Sequence, residues 1–185
     1  FTTCTLGTAG KRFKNNGNGP RKGITMTLAG LVHDVRRRSN RGGFAAIEDH
    51  TGRIEVSLFD DTWALYVDLL QKDEIIVVEG KVSLNTFSGG YQMRAQKVMT
   101  LSEAKSRFSR GVRIALKGPD ENIPELLRFA MAPYRDGEGR VWLDYSNGRA
   151  RAHMELGDEW CVKPCDELIA ALSDLEAVTS VRLVY

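Results

Sequence analysis

Apolar and polar positions alternate with a period of two through much of the first hundred residues, the signature of strands buried on one face. The clearest stretch is 53–59, where Ile54, Val56 and Leu58 interleave with Arg53, Glu55 and Ser57. The pattern predicts strands at 24–37, 43–49, 53–59, 74–84 and 91–98. Gly30 lies inside the long first strand, where a glycine permits a sharp bend. His50-Thr51-Gly52 supplies a tight turn between the second and third. After the third strand the period changes: Trp63, Tyr66, Val67 and Leu70 fall at helical spacing. Asp60 and Asp61 open that helix, where capping is the simplest role for them. The charged stretch RRRSNRGG at 36–43 and the segment 85–90 are predicted to be loops.

A helix at 103–109, capped by Ser102, leads out of this strand-rich region. Beyond it come a strand at 112–116 and a helix at 123–131, with Asn122 as cap and Pro124 in its first turn. Strands at 140–145 and 149–156 flank Asn147-Gly148, a strong hairpin signal. A helix at 164–175 and a strand at 179–185 finish the chain. Three strands, a helix and two strands are the order of a five-stranded OB-fold barrel. The β-α-β-β-α-β order that follows suits a small open sheet with two helices on one side. The predicted class is therefore mainly β, then α+β. Residues 1–23 form a disordered basic linker, 24–110 the barrel and 111–185 the open-sheet domain.

Composition narrows the class. At 185 residues, 42% hydrophobic and 27% charged, the chain can bury a core but is too short for most complete multi-step enzymes. No apolar run approaches the roughly 20 residues of a membrane span, so no membrane partner is expected. Three cysteines do not make a secreted disulfide framework, and a cytoplasmic location is expected. The first residue is Phe1, without an initiator Met or a signal-peptide pattern, which implies a piece of a longer protein. The net charge of +2 conceals a gradient. Residues 1–47 hold nine Lys/Arg against one acid, whereas 112–185 hold nine against thirteen. An anionic partner at the front and a different one at the back would account for that polarity.

Candidate chemistry is sparse. There is no phosphate-cradling glycine loop and no nucleophile elbow. His33, His50 and His153 stand far apart, and Cys161 and Cys165 lack the second pair that a zinc ribbon needs. No catalytic residue, metal site or cofactor is expected. The basic segment 11–23 reads either as a solvated linker or as an arm on nucleic acid. Arg36, Arg37, Arg38 and Arg41 put four guanidinium groups into six residues, either simply solvated or gathered around an anion. In an OB-fold, the loop they occupy and the loop 85–90 flank the nucleic-acid groove. Phe87 lies in the second loop, Phe44 and Tyr91 begin the strands beside the two loops, and Lys81, Gln92, Arg94 and Gln96 extend a polar face. Cations along phosphates and rings under bases are what single-strand binding requires.

The stretches LAGLVHDVRRRSNRGGFAAIEDHTGRIEVSLFDD and KDEIIVVEGKVSLNTFSGGYQMRAQKVMTLSEAKSRFSRGVRIAL resemble the C-terminal part of the alpha subunit of bacterial DNA polymerase III. The segment DEWCVKPCDEL extends the resemblance in the right order. The resemblance implies an OB-fold that holds single-stranded template DNA, followed by a domain that tethers the polymerase to the tau subunit of the clamp loader. It implies that this piece is non-catalytic, and that nucleotidyl transfer belongs to the rest of the polymerase chain. It places Arg36, Arg37, Arg38, Arg41 and Phe87 on single-strand loops, Trp160 at the tau contact, and Val181, Leu183 and Tyr185 in the terminal partner-binding segment. From the residues alone, Trp160 reads equally as a half-buried core side chain or a surface anchor. The tail VRLVY lacks the glutamine that opens clamp-binding peptides, so direct sliding-clamp contact is not expected. Two other readings stay open: an RNA-binding OB module on another enzyme, such as one recognising tRNA, and a purely structural barrel.

Overall fold

A computed structural model describes residues 2–9, 23–39, 42–85, 90–118 and 121–185. Internal contacts divide the chain into two compact units, Phe1–Leu101 and Ser102–Tyr185. The first is a closed barrel of strand order β1-β2-β3-β5-β4, built from β1 (Ile24–Ser39), β2 (Gly42–Asp49), β3 (Gly52–Phe59), β4 (Ile75–Leu84) and β5 (Tyr91–Thr100). This is the OB-fold arrangement that the alternation predicted. One strand closes it: β1 pairs with β4 over Ile24 to Leu31 and with β2 from Leu31 onward. The change of partner falls at Gly30–Leu31, where a Cβ on Gly30 would crowd the Glu48 carbonyl at 3.0 Å. β3 and β5 complete the ring by pairing in parallel.

Alternation sorts the side chains. Met26, Leu28, Val32, Ala45, Ile47, Val56, Leu58, Val82 and Met93 are almost fully buried inside, each large one contributing about 1.5–3 kcal/mol of hydrophobic stabilisation. The short helix α2 (Asp60–Tyr66), followed by a 3-10 turn Val67–Leu69, plugs one end with Trp63 and Leu70. Gly43 is what admits Trp63, because a Cβ there would lie 2.4 Å from the indole. Asp60 and Asp61 lie in the first turn, but no side chain makes a capping hydrogen bond and Asp60 has φ +49°. Their contribution is therefore charge near the helix start, not the predicted cap.

Two further predictions about the first unit are corrected. The charged stretch at 36–39 is not a loop, because β1 continues through Ser39 with Arg36 opposite Phe44 and Arg37 opposite Gly43. Long cations tolerate an extended backbone when β2 supplies the ladder and the side chains point to water. The front of the supposed linker is ordered too. Helical turn α1 (Leu6–Ala9) buries Leu6 and Ala9 against the barrel. Asp49 holds it there, one carboxylate oxygen accepting the Leu6 N–H at 2.9 Å while the other accepts the N–H groups of Thr51 and Gly52. Two apolar residues and one multiply bonded carboxylate suffice to dock a segment whose composition alone looks unstructured.

In the second unit, β6 (Gly111–Lys117), β7 (Arg140–Ser146), β8 (Arg151–Glu155) and β9 (Val178–Val184) form a sheet of order β8-β7-β6-β9. Helices α4 (Ile123–Met131) and α5 (Asp166–Ser173) bury Leu127, Met131, Leu168 and Leu172 against Val112, Ile114, Val141 and Leu143. The β-α-β-β-α-β order is as predicted. The Asn147-Gly148 turn forms with Asn147 Oδ1 accepting the Arg149 and Ala150 N–H groups and Gly148 at φ +82°. Asn122 precedes α4, yet its carbonyl rather than its side chain takes the Glu125 and Leu126 N–H groups. The exit helix α3 (Leu101–Phe108) starts before Ser102, which is therefore not its cap. Division at Leu101 instead of the expected 110 follows from packing: Lys105 on α3 pairs with Asp166 of α5 at 3.0 Å.

Candidate nucleic-acid interface

The candidate site is the outer face of the barrel. A β-bulge at His33 shifts the phase of β1, so that Val32 and Val35 both face the core while Asp34 and Arg36 face outward. Phe44 is half-buried on the outer face of β2, and Phe59 takes the same face of β3. The two rings meet edge to face, 6.1 Å between centroids. The Arg38 guanidinium stands over Phe44 at 5.9 Å, and the Arg94 guanidinium of β5 over Phe59 at 5.8 Å. Lys81 on β4 lies directly opposite Arg94. A continuous row, Arg38–Phe44–Phe59–Arg94–Lys81, thus crosses all five strands.

Electrostatics within the row differ from its surroundings. Arg36 is tied to Asp34 at 2.7 Å and Arg53 to Glu48 at 2.6 Å. The Arg36 side chain holds the Asp34 carboxyl below its ordinary value against a smaller opposing effect of burial, and Arg53 does the same for Glu48. Among the described residues, neither Arg94 nor Lys81 has a carboxylate partner. Like charges directly opposite on neighbouring strands cost stability, and an anion between them removes that cost. Two shallow grooves flank the row. One, of about 330 Å³, runs past His33, Arg36, Phe44 and Arg53; the other, of about 370 Å³, past Thr62, Lys81, Arg94 and Gln96.

The structure brings together Arg36, Arg38, Phe44, Lys81 and Arg94 of the sequence candidates. Arg37 points to the other side of β1, and Tyr91, half-buried, packs against the barrel core. Arg41 and Phe87 lie outside the described residues. Phe59 is not among the sequence candidates, although a signal exists: it occupies the same outward phase of the alternation as Arg53, Glu55 and Ser57. Among the described residues, no three His, Cys, Asp or Glu side chains converge as a metal site would require.

The partner candidates sit elsewhere, in the second unit. Trp160, on the 3-10 turn Asp158–Trp160, is half-buried against its core, with the Arg128 guanidinium 4.8 Å over the ring. Val181 and Leu183 turn toward the same core from β9, which among the described residues pairs only with β6. Tyr185 is 46% exposed. Burial pushes the Cys165 thiol up from its ordinary value, as suits a packing residue at the start of α5.

The closed five-stranded barrel is that of an OB-fold, and residues 26–101 match the family described as OB-fold nucleic acid binding domain. Residues 126–175 match the DNA polymerase III subunit alpha, C-terminal domain. DNA polymerase III subunit alpha of Escherichia coli K12 is 38% identical over 170 residues, covering 89% of this chain and 15% of that protein. The subunit of Vibrio cholerae is 34% identical over 191 residues, covering 100% of this chain and 16% of its own length. The chain therefore belongs to the DNA polymerase III subunit alpha family and corresponds to its C-terminal region. It spans about 15% of the length of these relatives.

Proposed function

We propose that this chain is a non-catalytic C-terminal part of a replicative DNA polymerase alpha subunit, acting in the cytoplasm at the replisome. Its barrel holds single-stranded template DNA, and its second unit tethers the polymerase to the tau subunit of the clamp loader. The observation that carries the first half is the row Arg38–Phe44–Phe59–Arg94–Lys81. Bases stack on the two rings while the cations follow the phosphates. The groups that the row presents are ring faces and flexible cations rather than bidentate base readers, so binding is salt-dependent and tolerant of sequence. Arg36 adds to the flank; Arg41 and Phe87, outside the described residues, are part of the proposal by their sequence positions alone.

Support for the tether comes from family membership together with Trp160, a half-buried indole clamped by Arg128. Interfaces favour such anchors. The experiment is a pair of titrations on the whole chain. Replacing Phe44, Phe59 and Arg94 with Ala should abolish most binding to an oligo-dT strand while leaving tau binding intact. Trp160→Ala should do the reverse. Undiminished oligo-dT binding by the first variant would overturn the single-strand reading, and preference for a structured RNA in competition would redirect it to RNA.

A further inference from the structure

We propose that the second unit carries its own binding groove for the phosphodiester backbone of a nucleic-acid strand, apart from the barrel face. The groove, of about 570 Å³, is lined by Arg107 and Arg110 at the end of the exit helix, Arg140 and Trp142 on β7, and Lys163 before α5. Its size falls in the range of ligand-binding clefts. Between Ser102 and Tyr185 the chain holds 12 Lys/Arg and 14 Asp/Glu, so the unit as a whole is acidic. Four cations and a single acid, Glu138, line the groove, an excess of positive charge even with Arg140 paired to Glu155. Such concentration of one sign in a concave surface focuses the field on an anion.

The groove is built rather than incidental. Gly139 and Val162 hydrogen-bond to each other in both directions, at 2.8 and 2.9 Å, and the Lys163 N–H is held by the Tyr134 carbonyl at 2.6 Å. This fixes the backbone from which Lys163 projects. Arg140 is anchored by Glu155, which also accepts the Trp142 indole N–H at 3.1 Å. Arg140 and Trp142 therefore form a fixed wall, and Arg107, Arg110 and Lys163 are the long-stemmed cations around it. Ser109 also lines the groove, and its Oγ is buried with no hydrogen-bond partner among the described residues. Unpartnered buried hydroxyls are uncommon, and an oxyanion provides an acceptor.

The lining chemistry favours a phosphodiester chain over a protein segment. A protein interface concentrates apolar and aromatic anchors at its centre, whereas here Trp142 and Pro164 are the large ring surfaces among cations, hydroxyls and glycine backbone. Guanidinium forks match phosphate oxygens, and Trp142 offers a face to a sugar or base.

The test uses the whole chain, a fluorescent oligo-dT strand and a salt titration. The groove variant is R107Q/R110Q/K163Q and the barrel variant F44A/F59A/R94A, with far-UV circular dichroism and the Trp142 indole NMR signal confirming the folds. The barrel variant should keep residual salt-dependent binding that the groove substitutions remove. In the groove variant alone, the slope of log affinity against log salt should fall by about 2, as three lost contacts to a single strand require. Ser109→Ala, which leaves the cations in place, should weaken binding about two- to fivefold. If the groove variant binds oligo-dT with unchanged affinity and slope while the barrel variant does not, the groove proposal falls and the barrel reading stands. If the groove substitutions abolish binding of a poly-glutamate peptide and leave oligo-dT binding untouched, the groove serves an acidic peptide and the proposal is equally overturned. Loss in the groove variant with none in the barrel variant would establish the groove and refute the barrel.

Discussion

Both units of this chain place an arginine over an aromatic ring on the bare face of a sheet, yet the two faces behave differently. On the barrel, Arg94 stands 5.8 Å over Phe59 with Lys81 opposite it. On the second sheet, Arg113 stands 5.9 Å over Trp142, but Asp144 lies 3.7 Å from the same guanidinium and Glu155 takes the indole N–H. His153 also bonds Asp144 at 2.8 Å. The Arg113–Trp142 pair therefore carries its own counter-charges, whereas among the described residues Arg94 and Lys81 of the barrel row have no carboxylate partner. Contact geometry alone does not distinguish a binding face from a solvated one. The decisive difference is whether the protein has already supplied the counter-charge.

The largest effects that would break this comparison come from the cores. Leu58→Ala in the barrel should cost about 2–5 kcal/mol, lowering hydrogen-exchange protection in β1 to β5; Leu168→Ala should do the same in β6 to β9. Equal loss across both units from either change would deny that they are separate cores.

Next comes the face itself. Phe59→Ala should weaken oligo-dT binding by about 1–3 kcal/mol with little change in stability, as isothermal titration beside thermal melting would show. Trp142→Ala, its counterpart on the neutralised face, should change oligo-dT affinity by less than Phe59→Ala does. A larger loss at Trp142 would invert the assignment of the two faces.

A charge change sharpens the point further. Asp144→Asn should uncover Arg113 and raise oligo-dT affinity at low salt, an effect that disappears as ionic strength rises. No gain would mean that counter-charge is not what sets Arg113 apart from Arg94.

The smallest effect concerns Asp49. Burial pushes its carboxyl up, but the Thr51 hydroxyl and the Leu6, Thr51 and Gly52 N–H groups outweigh this and hold it below its ordinary value. A depressed folded value means that the ionised form favours the docked state. Docking of α1 is thus supported above the usual carboxylate range, about pH 4, and weakens as pH falls through the lower folded value. After correction for intrinsic rates, the Leu6 and Gly7 amides should be less protected at pH 3 than at pH 6. Equal protection would show that Leu6 and Ala9 hold the segment unaided.

Much of the fold was legible because its strands bury one face. Ile54, Val56 and Leu58 announce β3 and its orientation, and the i, i+3, i+4 set from Trp63 to Leu70 announces the plug. Less legible was anything that depends on a partner distant in sequence. Arg36 to Arg38 read as loop because their charge was weighed without β2, whose backbone makes them strand. Residues 2–9 read as linker because Asp49, their acceptor, lies some forty positions away. Most of the site is legible: Arg38, Phe44, Lys81 and Arg94 are sequence candidates, while Phe59 reads only as the last residue of an amphipathic strand.

Sequence by itself determined the order of elements, the inward side of regular strands such as β3 and the family, since these follow from local periodicity and residue identity. Tertiary structure alone decided which cations are engaged. Whether Arg94 faces a carboxylate, a ring or Lys81 depends on barrel closure, and the His33 bulge decides which side chains of β1 face outward. Charge pairing falls off over a few ångströms, and only the folded chain brings residues so far apart in sequence within that distance.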